Sequence, residues 1–233
     1  MTTPRTAPRT ARTHAPATTG PALLIQLHVF TDCDDVPPVV DAVRGSGLDA
    51  AVYENVNDPR GIAVLFATAR ADDLLDRVRP LLRAAPFRSF TPVPSFTMLG
   101  RTYLVGHETD AEEVLLHRPR VRVLSPELRW VVWYPLRRAG IFERLPLDEQ
   151  RIALREHGTA GAEFAATGLA QDIRLSCHGL DANDNDFVIG ILGPELPPLS
   201  ALVERMRKTI QTSMYLEKLG PFFVGRVLWQ AAK

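Results

Sequence analysis

One histidine of the six in the chain stands in the surroundings that a metal-bound cofactor requires. His157 lies in the middle of a segment, 146–164, whose apolar residues recur at helical spacing. Its neighbours within about one helical turn are small, among them Ala153, Gly158 and Gly161, so a flat space is predicted beside the imidazole. A porphyrin ring needs such a space to approach a helix while an imidazole nitrogen reaches its iron. A core histidine that hydrogen-bonds a carbonyl group produces the same pattern, and periodicity alone leaves both interpretations open.

The other reactive side chains form no recognisable site by themselves. Ser176 has no histidine and acid that spacing can arrange around it, so the sequence does not support a hydrolase with a nucleophilic serine. The two cysteines, Cys33 and Cys177, match neither a zinc-ribbon spacing nor a disulfide framework. The chemistry of the chain therefore depends on His157 and on what folds around it.

Two copies of one order of elements position this histidine. In residues 23–105 and again in 130–233, strand and helix patterns follow the order β-α-β-β-α-β. A Gly-Leu pair occupies equivalent places in the two copies, beginning at Gly47 and at Gly168, which supports duplication. This order is that of a ferredoxin-like unit. We therefore predict an α+β fold in which two tandem ferredoxin-like repeats, joined by a connector at 106–129, form a dimeric α+β barrel.

Composition excludes several classes of protein. Lys plus Arg number 27 and Asp plus Glu number 27, so no net charge favours binding to nucleic acid. No apolar run approaches the roughly 18 residues that a membrane-spanning helix needs, and the N-terminus lacks the apolar segment of a secretory signal. Residues 1–22 are almost entirely Thr, Pro, Ala and Arg, so they are expected to form a disordered tail. A soluble cytoplasmic protein is the resulting expectation.

Five short motifs, taken in order, resemble the chlorite dismutase superfamily, which includes coproheme decarboxylases of bacterial haem synthesis. They cover most of 101–228, whereas the first repeat agrees with the family in architecture only. No single motif suffices, but together they are fairly specific. They are Trp133-Tyr134-Pro135, Pro146-x-x-Glu149-Gln150-Arg151, Glu156-His157-Gly158, Gly179-Leu180-Asp181 with Asp186-Phe187-Val188, and Gly220-Pro221-Phe222-Phe223-Val224-Gly225. The resemblance implies a haem cofactor, either haem b or coproheme, a peroxide-dependent reaction, and a homo-oligomer, which in this family is usually a ring of five subunits.

The resemblance also implies roles for individual residues. His157 stands where the family has its proximal haem ligand and would bind the iron, with Gly158 and Gly161 beside the ring. Tyr134 resembles the tyrosine with which coproheme decarboxylases abstract hydrogen from a haem propionate after peroxide has oxidised the iron. His117, which precedes Tyr134 by 17 residues, resembles the distal histidine of the actinobacterial decarboxylases, a base toward peroxide. Considered without the family, Tyr134 is equally a packed strand tyrosine and His117 an exposed residue of the connector.

The chain departs from the family pattern at positions that matter for activity. Where chlorite dismutases hold chlorite with an arginine, on the strand after the haem helix, this chain has Asp172, with Ala170 two residues earlier. We expect an anion to meet a carboxylate there, which makes chlorite a poor substrate. Arg174 shares a strand face with Asp172 and could hold an anion only in a different geometry. Gln211 replaces the glutamate that supports the proximal histidine in many members, and a neutral amide pushes less electron density through the imidazole to iron.

The sequence therefore predicts a haem-dependent oxidoreductase with a site like that of coproheme decarboxylases. Its partners would be hydrogen peroxide and a porphyrin or another small-molecule substrate. Two alternatives stay open. One is a chlorite O2-lyase, which converts chlorite to chloride and dioxygen, and the other is a member that binds haem without catalysis or serves a structural purpose.

Overall fold

A computed structural model describes residues 21–106 and 108–232, and both predicted repeats are present in it. Most of the tail expected at 1–22 lies outside the described residues. The first repeat follows the predicted order, with short 3-10 turns and a two-residue strand before its last strand. Its elements are β1 (Leu24–Thr31), α1 (Pro37–Gly45), β2 (Asp49–Asn55), β3 (Ile62–Thr68), a π-helical turn (Leu74–Val78) continued by α2 (Arg79–Arg83), β4 (Thr91–Pro92) and β5 (Met98–Thr102).

The connector between the repeats is itself helical, which the sequence reasoning missed. A π-helical turn (Glu113–His117) continues into α3 (Arg118–Val123). Leu115, Pro119 and Val123 are buried, and their spacing of four residues places them on one side of the helix. The connector therefore packs against the rest of the chain instead of crossing it as a loop.

The second repeat carries the longest helix of the described chain. Its elements are β6 (Trp130–Arg138), a 3-10 turn (Phe142–Arg144), α4 (Leu147–Ala166), β7 (Gln171–Ser176), β8 (Phe187–Gly193), α5 (Leu196–Arg207), α6 (Ile210–Tyr215), β9 (Leu216–Leu219) and β10 (Phe223–Gln230). The apolar stripe predicted one last helix that includes Ile210, but α5 ends at Arg207 and α6 begins at Ile210. The chain breaks at Thr209, whose backbone is extended, with φ −74° and ψ 152°.

The strands of the two repeats close into one barrel. Within each repeat the last strand pairs with the first, the first with the third and the third with the second, which is the ferredoxin-like order. The two sheets join where β5 pairs with β7 and where β10 pairs with β2, so that eight strands form a complete ring. The α+β fold of two ferredoxin-like repeats is therefore confirmed.

Side chains alternate between the inside and the outside of this barrel. The inner face includes Tyr53, Trp133 and Phe223, all of which are fully buried. Trp133 lies across Gly190 on the neighbouring strand, where a Cβ atom would collide with the indole ring. From the connector, Val123 and Leu124 join the same cluster. The barrel interior is thus filled with side chains, and the large rings contribute to its packing.

The outer faces of the barrel form two further cores beneath the helices. On the second repeat, Val132, Tyr134 and Leu136 of β6 pack with Leu199 and Leu202 of α5. This outer face of the second sheet is the surface that α4, α5 and α6 flank, and it therefore positions the residues singled out by the sequence. No helix of the described ranges has the length and apolarity to cross a membrane.

Candidate functional site

A row of side chains crosses the outer face of the second sheet. Tyr134 on β6 stands opposite Ile189 on β8, and Ile189 stands opposite Arg174 on β7. Residues in register on neighbouring strands point to the same face, and strands lie about 4.8 Å apart. The phenol of Tyr134 and the guanidinium of Arg174 therefore project from one surface, with the apolar Ile189 between them.

His157 lies on α4 and faces this surface. Burial lowers the pKa of His157 below its ordinary value, and the positive charges of Arg174 and Arg138 lower it further. The carboxylates of Asp172 and Glu156 oppose this shift with smaller effects. The imidazole is therefore neutral at pH 7, which is the form that binds a metal.

The Nδ1 atom of His157 is held by a threonine. It lies 3.0 Å from Oγ1 of Thr209 and 3.5 Å from Oγ1 of Thr212. The resemblance points to Gln211 for this support. Gln211 is buried, and in the sequence it lies between these two threonines. Among the described residues, however, the hydrogen-bond contacts of the imidazole are those to Thr209 and Thr212. The break between α5 and α6 supplies this contact, and no sequence pattern marked it.

The two glycines beside His157 have different surroundings. A Cβ atom at Gly158 would meet no heavy atom within 4 Å, so the space there is open. A Cβ atom at Gly161 would come within 3.1 Å of Cε of Met206, so Gly161 allows α5 to approach α4 closely. Leu154, one turn before His157, is 41% exposed. The flat space predicted beside the imidazole is therefore open at Gly158 and closed at Gly161.

Asp172 is neutralised by two arginines. Its Oδ2 lies 3.1 Å from Nε of Arg174 on the same strand. Nη1 of Arg122, on the connector helix, lies 3.4 Å from Oδ1 and also donates to the backbone carbonyl of Asp172. Burial lowers the pKa of Arg122, but Arg122 remains charged because the ordinary pKa of arginine is above 12. The carboxylate that an anion was expected to meet is therefore present but paired, and the expectation that chlorite is a poor substrate stays a prediction.

Arg138 is a residue of this site that the sequence reasoning missed. Its guanidinium lies 4.4 Å from the ring centre of Phe142 and 5.0 Å from that of Phe187, and its Nη1 lies 3.1 Å from Glu143. Its Nε atom is buried with no hydrogen-bond partner among the described residues. The alternation of strand side chains predicts this position, because Arg138 is four residues after Tyr134 on one strand and therefore points to the same face of the sheet.

Two further cations line a cleft, and one of them acts on Tyr134. Arg207 and Lys218 line a cleft of about 320 Å³ together with Thr212 and Glu217. The guanidinium of Arg207 is 5.8 Å from the ring centre of Phe222, which in turn is 4.8 Å from the ring centre of Tyr134. The cleft therefore has two cations against one carboxylate.

Tyr134 carries a hydroxyl that stays protonated. Burial raises the pKa of Tyr134 well above its ordinary value, and the nearby carboxylate of Asp172 raises it further. The charge of Arg207 acts in the opposite direction but is the smallest of the three effects. The phenol therefore keeps its O–H bond at every physiological pH.

His117 lies apart from this group. Its side chain is 57% exposed, and its Nε2 is 3.3 Å from a carboxylate oxygen of Glu112. It lines a cleft of about 390 Å³ on the first repeat with Arg70 and Arg120, and none of the residues around His157 lines that cleft. A proton-shuttle role for His117 stays a prediction, and the structure brings Arg122 of the same helix, not His117, to the site.

Comparisons with known proteins agree with the fold described above. A family model described as chlorite dismutase matches residues 46–228. The chain is similar to a solved haem-binding protein from Thermus thermophilus, with 20% sequence identity and a TM-score of 0.71, over 89% of this chain and 91% of that chain. It is also similar to a chlorite dismutase mutant from Candidatus Nitrospira defluvii, with 14% identity and a TM-score of 0.68, over 90% of this chain and 92% of that one. At these identities the structural likeness is one of fold.

Proposed function

Because the chain belongs to the chlorite dismutase family, we propose that it binds haem through His157 and decarboxylates an iron porphyrin with peroxide as oxidant. The observation that carries the proposal is a neutral imidazole on α4 near Arg174, a residue that projects from the same sheet face as the buried phenol of Tyr134. A similar protein from Thermus thermophilus is described as haem-binding, which supports the choice of cofactor.

The residues around His157 fit a porphyrin. The open space at Gly158 lets a flat ring approach the helix, and Leu154 supplies apolar surface beside it. Ile189 gives the opposite, sheet side of the space an apolar surface between Tyr134 and Arg174. When bound, the haem iron would supply the oxidation chemistry that these side chains lack.

Tyr134 would carry out the step on the substrate. A porphyrin propionate that loses carbon dioxide becomes a vinyl group, and this change is a two-electron oxidation. For each propionate, one peroxide and one proton are consumed, and carbon dioxide and two waters are released. The phenol of Tyr134 is buried and protonated, so it can lose its hydrogen and then take one from the substrate carbon chain. In this role Tyr134 is a relay, regenerated in every turnover.

The distribution of charge favours a porphyrin with several carboxylates. Arg138 and Arg174 act on His157 but are already paired with Glu143 and Asp172, whereas Arg207 and Lys218 form no ion pair among the described residues. Coproheme carries four propionates, whereas haem b carries two and replaces the others with vinyl groups. The two unpaired cations would supply partners for the additional propionates, because each buried carboxylate needs a charged partner.

We expect the double variant Arg207→Ala/Lys218→Ala to discriminate between the two porphyrins. Each lost contact to a carboxylate weakens binding, so the affinity for iron coproporphyrin should fall by about tenfold. The affinity for haem b should change less, because haem b has fewer carboxylates that depend on these two cations. Titration of each porphyrin by absorbance measures both. Lys208→Ala is the matched control, because Lys208 pairs with Glu204 and does not line the cleft. Equal losses for both porphyrins would contradict the assignment.

Chlorite decomposition is the second candidate, and one observation favours it. Arg174 projects from the sheet face opposite His157, and Asp172 is neutralised, so the site does not repel an anion. Nevertheless, Nε of Arg174 is already engaged by Asp172, which weakens its hold on a second anion. We therefore expect chlorite to be turned over slowly compared with coproheme.

One experiment tests the function. The purified protein is loaded with iron coproporphyrin, treated with peroxide in small steps, and analysed by mass spectrometry for stepwise loss of carbon dioxide and two hydrogens. A second sample, loaded with haem b, is given chlorite and monitored for dioxygen. Decarboxylation with little dioxygen supports the proposal. Rapid, sustained dioxygen release supports the chlorite O2-lyase, and haem binding with neither product supports a non-catalytic member.

Two remaining parts of the proposal come from the family resemblance, namely hydrogen peroxide as a partner and assembly into a homo-oligomer of five subunits. A cytoplasmic location is proposed from composition. Size measurement in solution tests the number of subunits directly.

A further inference from the structure

We propose that Thr209 and Glu156 act together as positioning residues for His157. Thr209 holds the imidazole in the tautomer that carries its proton on Nδ1, and Glu156 fixes the start of α6, directly after Thr209, against α4. The part of this inference that concerns iron rests on the proposed function, whereas the part that concerns the tautomer does not.

The hydroxyl of Thr209 has one proton, and its partners determine where that proton goes. Thr209 is fully buried, and its Oγ1 lies 2.8 Å from the carbonyl oxygen of Met206 and 3.0 Å from Nδ1 of His157. A carbonyl oxygen can only accept, and it lies closer than the other possible acceptor, Oγ1 of Thr212 at 3.3 Å, so the hydroxyl proton is donated to Met206. The oxygen of Thr209 is then an acceptor toward His157, and Nδ1 must be the donor. The lone pair of the neutral ring therefore lies on Nε2, where it is available to a metal.

Thr209 stands at a position where threonine usually has a different task. It precedes the first residue of α6 and has the extended backbone of a helix N-cap. An N-cap threonine normally accepts a hydrogen bond from a free N–H of the first helical turn. Here the side chain of Thr209 makes no such bond. If it did, its oxygen would be turned away from His157.

Glu156 holds the start of α6 against α4. Its Oε2 accepts the hydrogen bond of the Ile210 N–H at 2.8 Å, and the N–H of Thr212 is bonded to the backbone carbonyl of Thr209 at 3.1 Å. Glu156 and His157 are consecutive on α4, so one turn of that helix holds both the start of α6 and the threonine before it. Because Ile210 directly follows Thr209, this hydrogen bond fixes the backbone that places the Thr209 hydroxyl beside the imidazole.

A hydroxyl partner has a defined consequence for bound iron. It accepts the Nδ1 proton more weakly than a carboxylate would, so the imidazole donates less electron density to the metal. Removing the hydroxyl should weaken the donation further. The expected signs are a lower iron–imidazole stretching frequency and a higher reduction potential of the haem.

The tautomer is tested on the protein without haem. Nitrogen NMR of the imidazole, assigned by comparison with His157→Ala, reports which ring nitrogen is protonated at a pH where the ring is neutral. Wild type should show the proton on Nδ1. In Thr209→Val, which keeps the shape but lacks the hydroxyl, the ratio of the two tautomers should fall by about fivefold. Thr209→Ser should restore it. A wild-type proton on Nε2, or no change in Thr209→Val, would overturn the proposal.

The part played by Glu156 has its own test. In Glu156→Ala the hydrogen bond to the N–H of Ile210 is lost, so Thr209 is no longer fixed beside His157. The tautomer ratio should then fall as in Thr209→Val, and Glu156→Gln, which keeps an acceptor oxygen, should stay close to wild type. An unchanged ratio in Glu156→Ala would show that Thr209 needs no such anchor. With haem bound, the iron–imidazole stretching frequency and the reduction potential of the haem should change in the same variants that change the tautomer ratio. If no variant or wild type binds haem, the proposed function fails while the NMR result still decides the tautomer.

Discussion

Replacing His157 with alanine should remove the axial ligand and lower the affinity for haem by about a hundredfold or more. The ring of His157 is neutral, it lies beside the small residue Gly158, and its Nδ1 is already engaged by Thr209. Without it, the Soret band of a five-coordinate, imidazole-ligated haem should disappear. Absorbance titration with haem b and with iron coproporphyrin measures the loss.

The fold should survive this substitution. The change removes one hydrogen bond of a partly buried side chain, which costs about 1 kcal/mol of unfolding free energy. Added imidazole should enter the space left by the side chain and restore the spectrum. His178→Ala is the matched control, because His178 lies in the same repeat, is 60% exposed and pairs with Asp186. An unchanged Soret band in His157→Ala, or equal losses in the two variants, would refute the assignment.

The architecture was accessible from the sequence because its signals are local. Period-two alternation in the strands and four-residue spacing in the helices located both repeats, and the chlorite dismutase family expected from the motifs is confirmed. Closure of the barrel by the β10 to β2 and β5 to β7 pairings agrees with the predicted pairing of two repeats. The connector was missed because its buried residues, Leu115, Pro119 and Val123, are separated by arginines and a π-helical turn that interrupt the usual stripe.

The site was only partly accessible because its chemistry depends on contacts between distant residues. Small neighbours on one helix marked His157, and strand alternation could also have marked Arg138. The partner of His157 could not be found in this way, since Thr209 lies at a break between two helices whose position depends on Glu156. The pairing of Asp172 with Arg122, 50 residues away, likewise neutralises the charge expected at that place. Local patterns therefore located His157, whereas the residues that support it were identified only from the fold.

Replacing Tyr134 with phenylalanine should leave haem binding intact and abolish decarboxylation. The ring packs 4.8 Å from that of Phe222 between apolar neighbours, so phenylalanine fills the same space at little cost in stability. The lost atom is the hydroxyl, and with it the O–H bond from which a hydrogen can be removed. We expect the rate of carbon dioxide loss to fall by a factor on the order of a thousand or more, while the porphyrin affinity changes by less than about twofold.

The design of this experiment separates a relay from a packing role. Tyr53→Phe is the matched control, because Tyr53 is fully buried on the inner face of the barrel, so the same atom is removed away from His157. Mass spectrometry of iron coproporphyrin after peroxide, together with the rate at which peroxide is consumed, distinguishes the two outcomes. In Tyr134→Phe peroxide should still react at the iron site, but the propionates should remain. If Tyr134→Phe decarboxylates at the wild-type rate, Tyr134 only packs, and the oxidising equivalent must reach the substrate without this phenol. If both variants slow equally, the effect lies in the stability of the barrel and not in the relay, because only Tyr134 stands on the face that His157 overlooks.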